Sequence, residues 1–124
     1  MSTKSVAIVD DDVSANRALA RLLRSAGFAS SSFYSAESFL ADPSRSSFAC
    51  LLLDIQLTGI SGLDLQRLLL AEGTRVPIVF ITAHDDPAYR LEAIRRGCVS
   101  FFRKTDPGSL VVEAVRSATA SVSA

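Results

Sequence analysis

Cysteine is scarce in this chain of 124 residues, and Cys50 and Cys98 stand in no C-x-x-C or metal-ligand spacing. That argues against a disulfide framework or a zinc site and predicts two buried thiols in a reducing compartment. An excess of one charge is lacking too. Thirteen Lys and Arg balance thirteen Asp and Glu, so nothing draws the whole chain to nucleic acid or to an anionic membrane. No apolar run approaches the roughly 18 residues of a membrane span, and the opening Met-Ser-Thr-Lys is too short for a signal peptide. The expectation is a soluble cytoplasmic protein that neither enters a membrane nor binds nucleic acid directly.

What is present is an ordinary globular balance, 48% hydrophobic and 21% charged, at the usual length of one domain. Residues 1–124 are therefore expected to form a single domain. Short, continuous apolar runs at 5–9, 49–53, 77–81 and 99–102 read as strands buried on both faces. A weaker run at 28–33, alternating only at its ends, suits a strand nearer a sheet edge. Between them lie helical patterns. Ala15, Ala18, Leu19, Leu22, Leu23 and Ala26 repeat at helical spacing before Gly27, and further helices are expected over 35–41, 62–72, 86–96 and 106–120. Ser35 with Ser38 forms a variant capping box, and two helices open with Asp-Pro, a cap followed by proline at the first helical position. The final Ser-Val-Ser-Ala is expected to fray. The order is (βα)5, an α/β fold with a doubly wound, five-stranded parallel sheet.

On that frame the strand ends carry chemistry. Asp10 and Asp11 end the first strand, Asp54 the third, Thr82 the fourth and Lys104 the fifth. In an open parallel sheet these ends share one edge, where ligands bind. The triplet Asp10-Asp11-Asp12 asks for a cation, because neighbouring carboxylates raise one another's pKa unless one joins them. Hard oxygen ligands suit Mg2+. Asp12 reads as the N-cap of the first helix instead of a ligand. A lysine and a hydroxyl beside Asp54, with a metal, are what phosphoryl transfer onto that carboxylate requires.

These residues resemble a response-regulator receiver domain over nearly the whole chain. Ile8-Val9-Asp10-Asp11-Asp12 is similar to the family's acidic pair. Asp54 with Gly62 eight positions later is similar to the phosphoacceptor loop, and Thr82 ends a strand similar to the one carrying the switch hydroxyl. Gly97, Phe101 and Lys104 take the places of the glycine, switch aromatic and lysine. The wording around Ser35–Ala41 and Gly62–Leu69 is most similar to the FixJ-type branch. The resemblance implies a CheY-like (flavodoxin-like) sheet of order 2-1-3-4-5. It implies phosphorylation of Asp54 by a sensor histidine kinase, with Mg2+ on Asp11, Asp54 and the backbone carbonyl of Gln56, and with Asp10 acting largely through metal-bound water. Thr82 and Phe101 would move together to alter the face of the fourth helix, fifth strand and fifth helix. Gln56 and His84, each two residues after a site residue, would tune access of water to the phosphoryl group. Self-phosphorylation and self-dephosphorylation, in place of conventional enzymatic turnover, follow from the same resemblance. That branch generally adds a C-terminal helix-turn-helix, which these residues do not include, so the signal would pass to such a DNA-binding output domain, to a partner protein or to a phosphorylation-linked dimer.

Departures from the family pattern are local. Leu57-Thr58 replaces the usual Met-Pro, which predicts a less rigid loop. Thr105 replaces the usual proline after the lysine. A trans Lys104–Thr105 bond is expected, because a cis bond without proline costs roughly 3–4 kcal/mol. Asp106 is expected to cap the last helix, and Phe101 offers no hydroxyl. Two rival readings use the same residues. A haloacid-dehalogenase-type phosphatase would take Asp10 as nucleophile and Asp12 as general acid, leaving Asp54 without a role. A flavodoxin-like module would have to seat a phosphate beside three aspartates, which would repel it.

Overall fold

The apolar runs become five parallel strands in the order β2-β1-β3-β4-β5, the order expected from the resemblance. The computed structural model describes residues 4–120, so the fraying expected at 121–124 lies outside the described residues. In chain order the elements are β1 (Ser5–Val9), α1 (Val13–Ser25), β2 (Ala29–Phe33), α2 (Ala36–Ala41), a 3-10 turn (Arg45–Ser47), β3 (Cys50–Leu53), α3 (Gly62–Ala71), β4 (Ile78–Thr82), α4 (Pro87–Arg95), β5 (Ser100–Arg103) and α5 (Gly108–Ala120).

Strand alternation divides the core in two. Ala7, Val9, Leu51, Leu53 and Phe80 face one side, under Phe39 of α2, Leu65 and Leu69 of α3, and Ala93 of α4. Val6, Ile8, Leu52, Val79 and Ile81 face the other, under Leu23 of α1 and Val111, Val115 and Ala118 of α5. A sheet covered on both faces needs continuous apolar strands, which is why these runs do not alternate with polar residues. β2 is the exception. Its Ser30, Ser31 and Ser32 are half-buried or exposed at the sheet edge, which one face of solvent permits.

The helix starts follow their caps, with one correction. Asp12 accepts the Ser14 and Ala15 amides at the head of α1, as expected. Asp86 caps α4 ahead of Pro87. Ser35 accepts the Ser38 amide, while the Ser38 hydroxyl returns to the Ser35 carbonyl. Asp106, however, does not cap α5, which begins at Gly108. Its carboxylate turns back and accepts the Arg103 amide at 2.8 Å, with the Arg103 guanidinium 3.5 Å away. An amide at the end of β5 reaches Asp106 before the helix does. The Lys104–Thr105 bond is trans, as expected.

Candidate functional site

Backbone ladders carry three site residues one step past their strands. The Asp10 amide donates to the Phe33 carbonyl, the Asp54 amide to Val9 and the Lys104 amide to Thr82, at 2.8–3.1 Å. Each side chain therefore leaves the sheet at a fixed register, and the carboxylates of Asp10, Asp11 and Asp54 fall within 4.8 Å of one another. Asp10 and Asp54 are buried, 2% and 6% exposed, while Asp11 faces solvent. Lys104 Nζ stands 3.2 Å from Asp54 Oδ2 and 2.9 Å from Asp10 Oδ2, the second an ion pair outside hydrogen-bond angles.

The remaining oxygens are mostly held by amides. Asp10 Oδ1 accepts from Asp12 N–H at 3.0 Å, and Asp54 Oδ1 from Gln56 N–H at 3.2 Å. Asp11 Oδ2 accepts from both the amide and the hydroxyl of Thr58. Gly62 is required by close approach. A Cβ there would stand 2.1 Å from the Asp54 carbonyl oxygen, and its amide donates to the Ile55 carbonyl at 2.8 Å.

The electrostatics show a site short of positive charge. Burial pushes the Asp54 carboxyl up to about 6; the Lys104 charge pulls against this and the Asp10 charge adds to it. Burial is thus the leading cause for Asp54, ahead of the repulsion between carboxylates expected from sequence. For Lys104, burial disfavours the ammonium, but its contacts with Asp10 and Asp54 outweigh that and hold its pKa above the usual lysine value. One ammonium faces three carboxylates. A hard divalent cation fits this donor set, because it would neutralise the surplus charge that burial makes costly.

The other expected residues gather less tightly. Thr82 is fully buried at the end of β4, but its hydroxyl donates to the His84 carbonyl at 3.1 Å and accepts the His84 amide at 3.2 Å. No bond joins it to Asp54. Phe101 points inward at 8% exposure, its ring 6.0 Å from that of Phe80 and capped by the Arg90 guanidinium at 5.3 Å. The side chains of Gln56 and His84 lie in exposed residues.

Sequence reasoning missed three supports. Asn16 is fully buried in α1 and its amide donates to the carbonyls of Asp10 and Phe33, fixing the end of β1. Its signal was a polar residue one heptad before the buried Leu23, on the same helix face. Glu37 of α2 accepts the Ile60 amide, and Thr58 holds Asp11. Neither left a signal at the level of spacing. The dehalogenase-type alternative loses its general acid, because the Asp12 carboxylate caps α1.

A five-stranded 2-1-3-4-5 sheet with an acidic pair, an aspartate and a lysine at its carboxyl edge defines a CheY-like fold. The sequence model of the response regulator receiver domain matches residues 6–116, and the chain belongs to that family, the receiver domain of two-component systems. It is 41% identical over 111 residues to the response regulator protein TodT of Pseudomonas putida, covering 90% of this chain and 49% of TodT. To nodulation protein W of Bradyrhizobium diazoefficiens it is 38% identical over 119 residues, covering 95% of this chain and 52% of that protein. The chain thus spans about half the length of the curated relatives it matches. The crystal structure of FixJ-N superposes with a TM-score of 0.88 at 33% identity, covering 100% of this chain and 99% of that one. Among the described residues, no helix is long and apolar enough to cross a membrane.

Proposed function

We propose that Asp54 accepts a phosphoryl group from the phosphohistidine of a sensor histidine kinase in the cytoplasm. The observation that carries this reading is the Asp54 carboxylate, nearly buried at the end of β3, with Lys104 at 3.2 Å and two further carboxylates within 4.8 Å.

An Asp54 oxygen forms the new O–P bond as the N–P bond of the phosphohistidine breaks, and the imidazole leaves with that electron pair and takes a proton from solvent. Lys104 neutralises the phosphoryl oxygens as they arrive. Asp11, Asp54 and the Gln56 carbonyl would hold Mg2+, with Asp10, whose carboxylate lies within 4.8 Å of theirs, supporting it largely through water. Bound there, the cation supplies charge neutralisation for the transferred oxygens. Thr82 would release His84 and bond a phosphoryl oxygen. Phe101, freed by that shift, would move and alter the α4–β5–α5 face, which presents Leu91, Ile94, Val99 and Leu110 to solvent. Gln56 and His84 border the acceptor and would set how readily water hydrolyses the acyl phosphate. The altered face would signal to an output domain, to a partner protein or to a second copy of the chain.

Acetyl phosphate, a small donor, tests this without the kinase. With Mg2+ the wild-type protein should gain the mass of one phosphoryl group, and neither an EDTA-treated sample nor folded Asp54→Asn should gain it. Labelling of Asp54→Asn to the wild-type extent would end the reading.

A further inference from the structure

We propose that Thr58 is a positioning residue for the cation site, holding the exposed Asp11 carboxylate so that it can ligate. This deepens the cation reading above and rests on it. The Thr58 amide lies 3.2 Å and its hydroxyl 3.3 Å from the same oxygen, Asp11 Oδ2. Proline, the residue usual at this position in the family, has neither donor; any other residue would supply the amide, and the hydroxyl bond is what threonine adds here.

The loop that carries Thr58 is fixed on its far side. Gly59 adopts φ +84, a conformation that glycine takes without strain. The next amide, Ile60 N–H, donates to Glu37 Oε2 on α2 at 3.0 Å. The expected loss of rigidity from the missing Met-Pro is thus offset by two side chains, Glu37 anchoring the loop to α2 and Thr58 tying it to the end of β1.

Asp11 needs such a hold more than its neighbours. Asp10 and Asp54 are buried and braced by Lys104, whereas Asp11 is exposed, and Thr58 makes the only hydrogen bonds to its carboxylate among the described residues. Left free, it would sample several rotamers and lose that freedom on ligation. Two donors on Oδ2 restrict the rotamer and leave Oδ1 with its lone pairs for a cation. Hydrogen bonds of this kind behind ligating carboxylates typically change metal affinity by about 10–100-fold.

Calorimetric titration of Mg2+ into wild-type protein, Thr58→Val, Thr58→Ser and Asp11→Ala separates the possibilities, with the Tm of each measured in EDTA. Thr58 is exposed, so Thr58→Val should fold normally. It keeps the amide and loses the hydroxyl, and should bind Mg2+ about 10-fold more weakly at an unchanged Tm. Thr58→Ser, which restores the hydroxyl, should bind within about twofold of wild type, a difference of about 0.4 kcal/mol. Asp11→Ala should lose most of the affinity. Equal or tighter binding by Thr58→Val, or a Thr58→Ser variant as weak as Thr58→Val, would overturn the proposal while leaving the cation site in place. A wild-type protein that takes up no Mg2+, or one indifferent to Asp11→Ala, would instead overturn the cation reading and this proposal with it.

Discussion

The two halves of the sheet's carboxyl edge are held in different ways. In the β1–β3 half, each carboxylate is tied to a residue outside itself: Asp10 to an amide and Lys104, Asp11 to Thr58, and Asp54 to Gln56 and Lys104, while the Asp10 carbonyl is held by Asn16. In the β4–β5 half, Thr82 is bonded to its own loop and Phe101 is folded inward beneath Arg90. The helices beside them differ in the same sense. α3 buries Gly62, Leu65, Gln66 and Leu69, whereas α4 buries only Ala93 and turns Leu91 and Ile94 to solvent. A half that must receive a charged group gains from being preorganised. A half that must report the event gains from an element held by few buried contacts, because such elements move at low cost.

Overfilling the built half should have the largest effect. Gly62→Ala sets a methyl group against the Asp54 carbonyl, a backbone atom that cannot yield without moving the acceptor. We expect a loss of about 3 kcal/mol in urea unfolding, together with loss of labelling by acetyl phosphate. A variant as stable as wild type would show that the loop has slack the structure does not suggest.

The next test concerns the charge held in that half. The folded pKa of Asp54, about 6, lies above its ordinary value, which for an unfolded chain is about 3.9. The sign follows from linkage: the favourable contribution is complete below the unfolded value and is lost as pH rises through the folded one. In EDTA, therefore, Asp54→Asn should be more stable than wild type at pH 7, and the difference should shrink to nothing below about pH 4. Lys104 keeps Asp10 as a partner in that variant. Equal stability at pH 7 would mean that Lys104 alone compensates the buried carboxylate.

On the loosely held side the effect should be small. Arg90 covers the Phe101 ring and pairs with Asp85 at 3.5 Å, partly exposed. Arg90→Ala should cost about 0.5–1 kcal/mol, the range for such a cation–π contact near solvent. A loss as large as that of Gly62→Ala would erase the contrast between the two halves.

The same contrast explains what could be read from sequence. Val6–Val9, Leu51–Leu53 and Ile78–Ile81 are apolar throughout because both sheet faces are covered, so the strands, and through them Asp10, Asp54 and Thr82, were legible. Local caps at Asp12, Ser35 and Asp86 were legible for a different reason, since each bond spans only two or three residues. Asp106 misled because its choice lay between two local donors, and the Arg103 amide was the one within reach. Thr58 on Asp11 and Glu37 on Ile60 join residues 47 and 23 positions apart, and no periodicity encodes such pairs. The rotamers of Thr82 and Phe101 were beyond reach as well, because packing decides them.

The central claim is that Asp54, and no other carboxylate of the cluster, receives the phosphoryl group. Treating acetyl-phosphate-labelled protein with borohydride reduces the acyl phosphate to an alcohol, and peptide mass spectrometry then locates it. The account predicts reduction at position 54 alone, dependent on Mg2+. Reduction at position 10 or 11, with position 54 untouched, would contradict it.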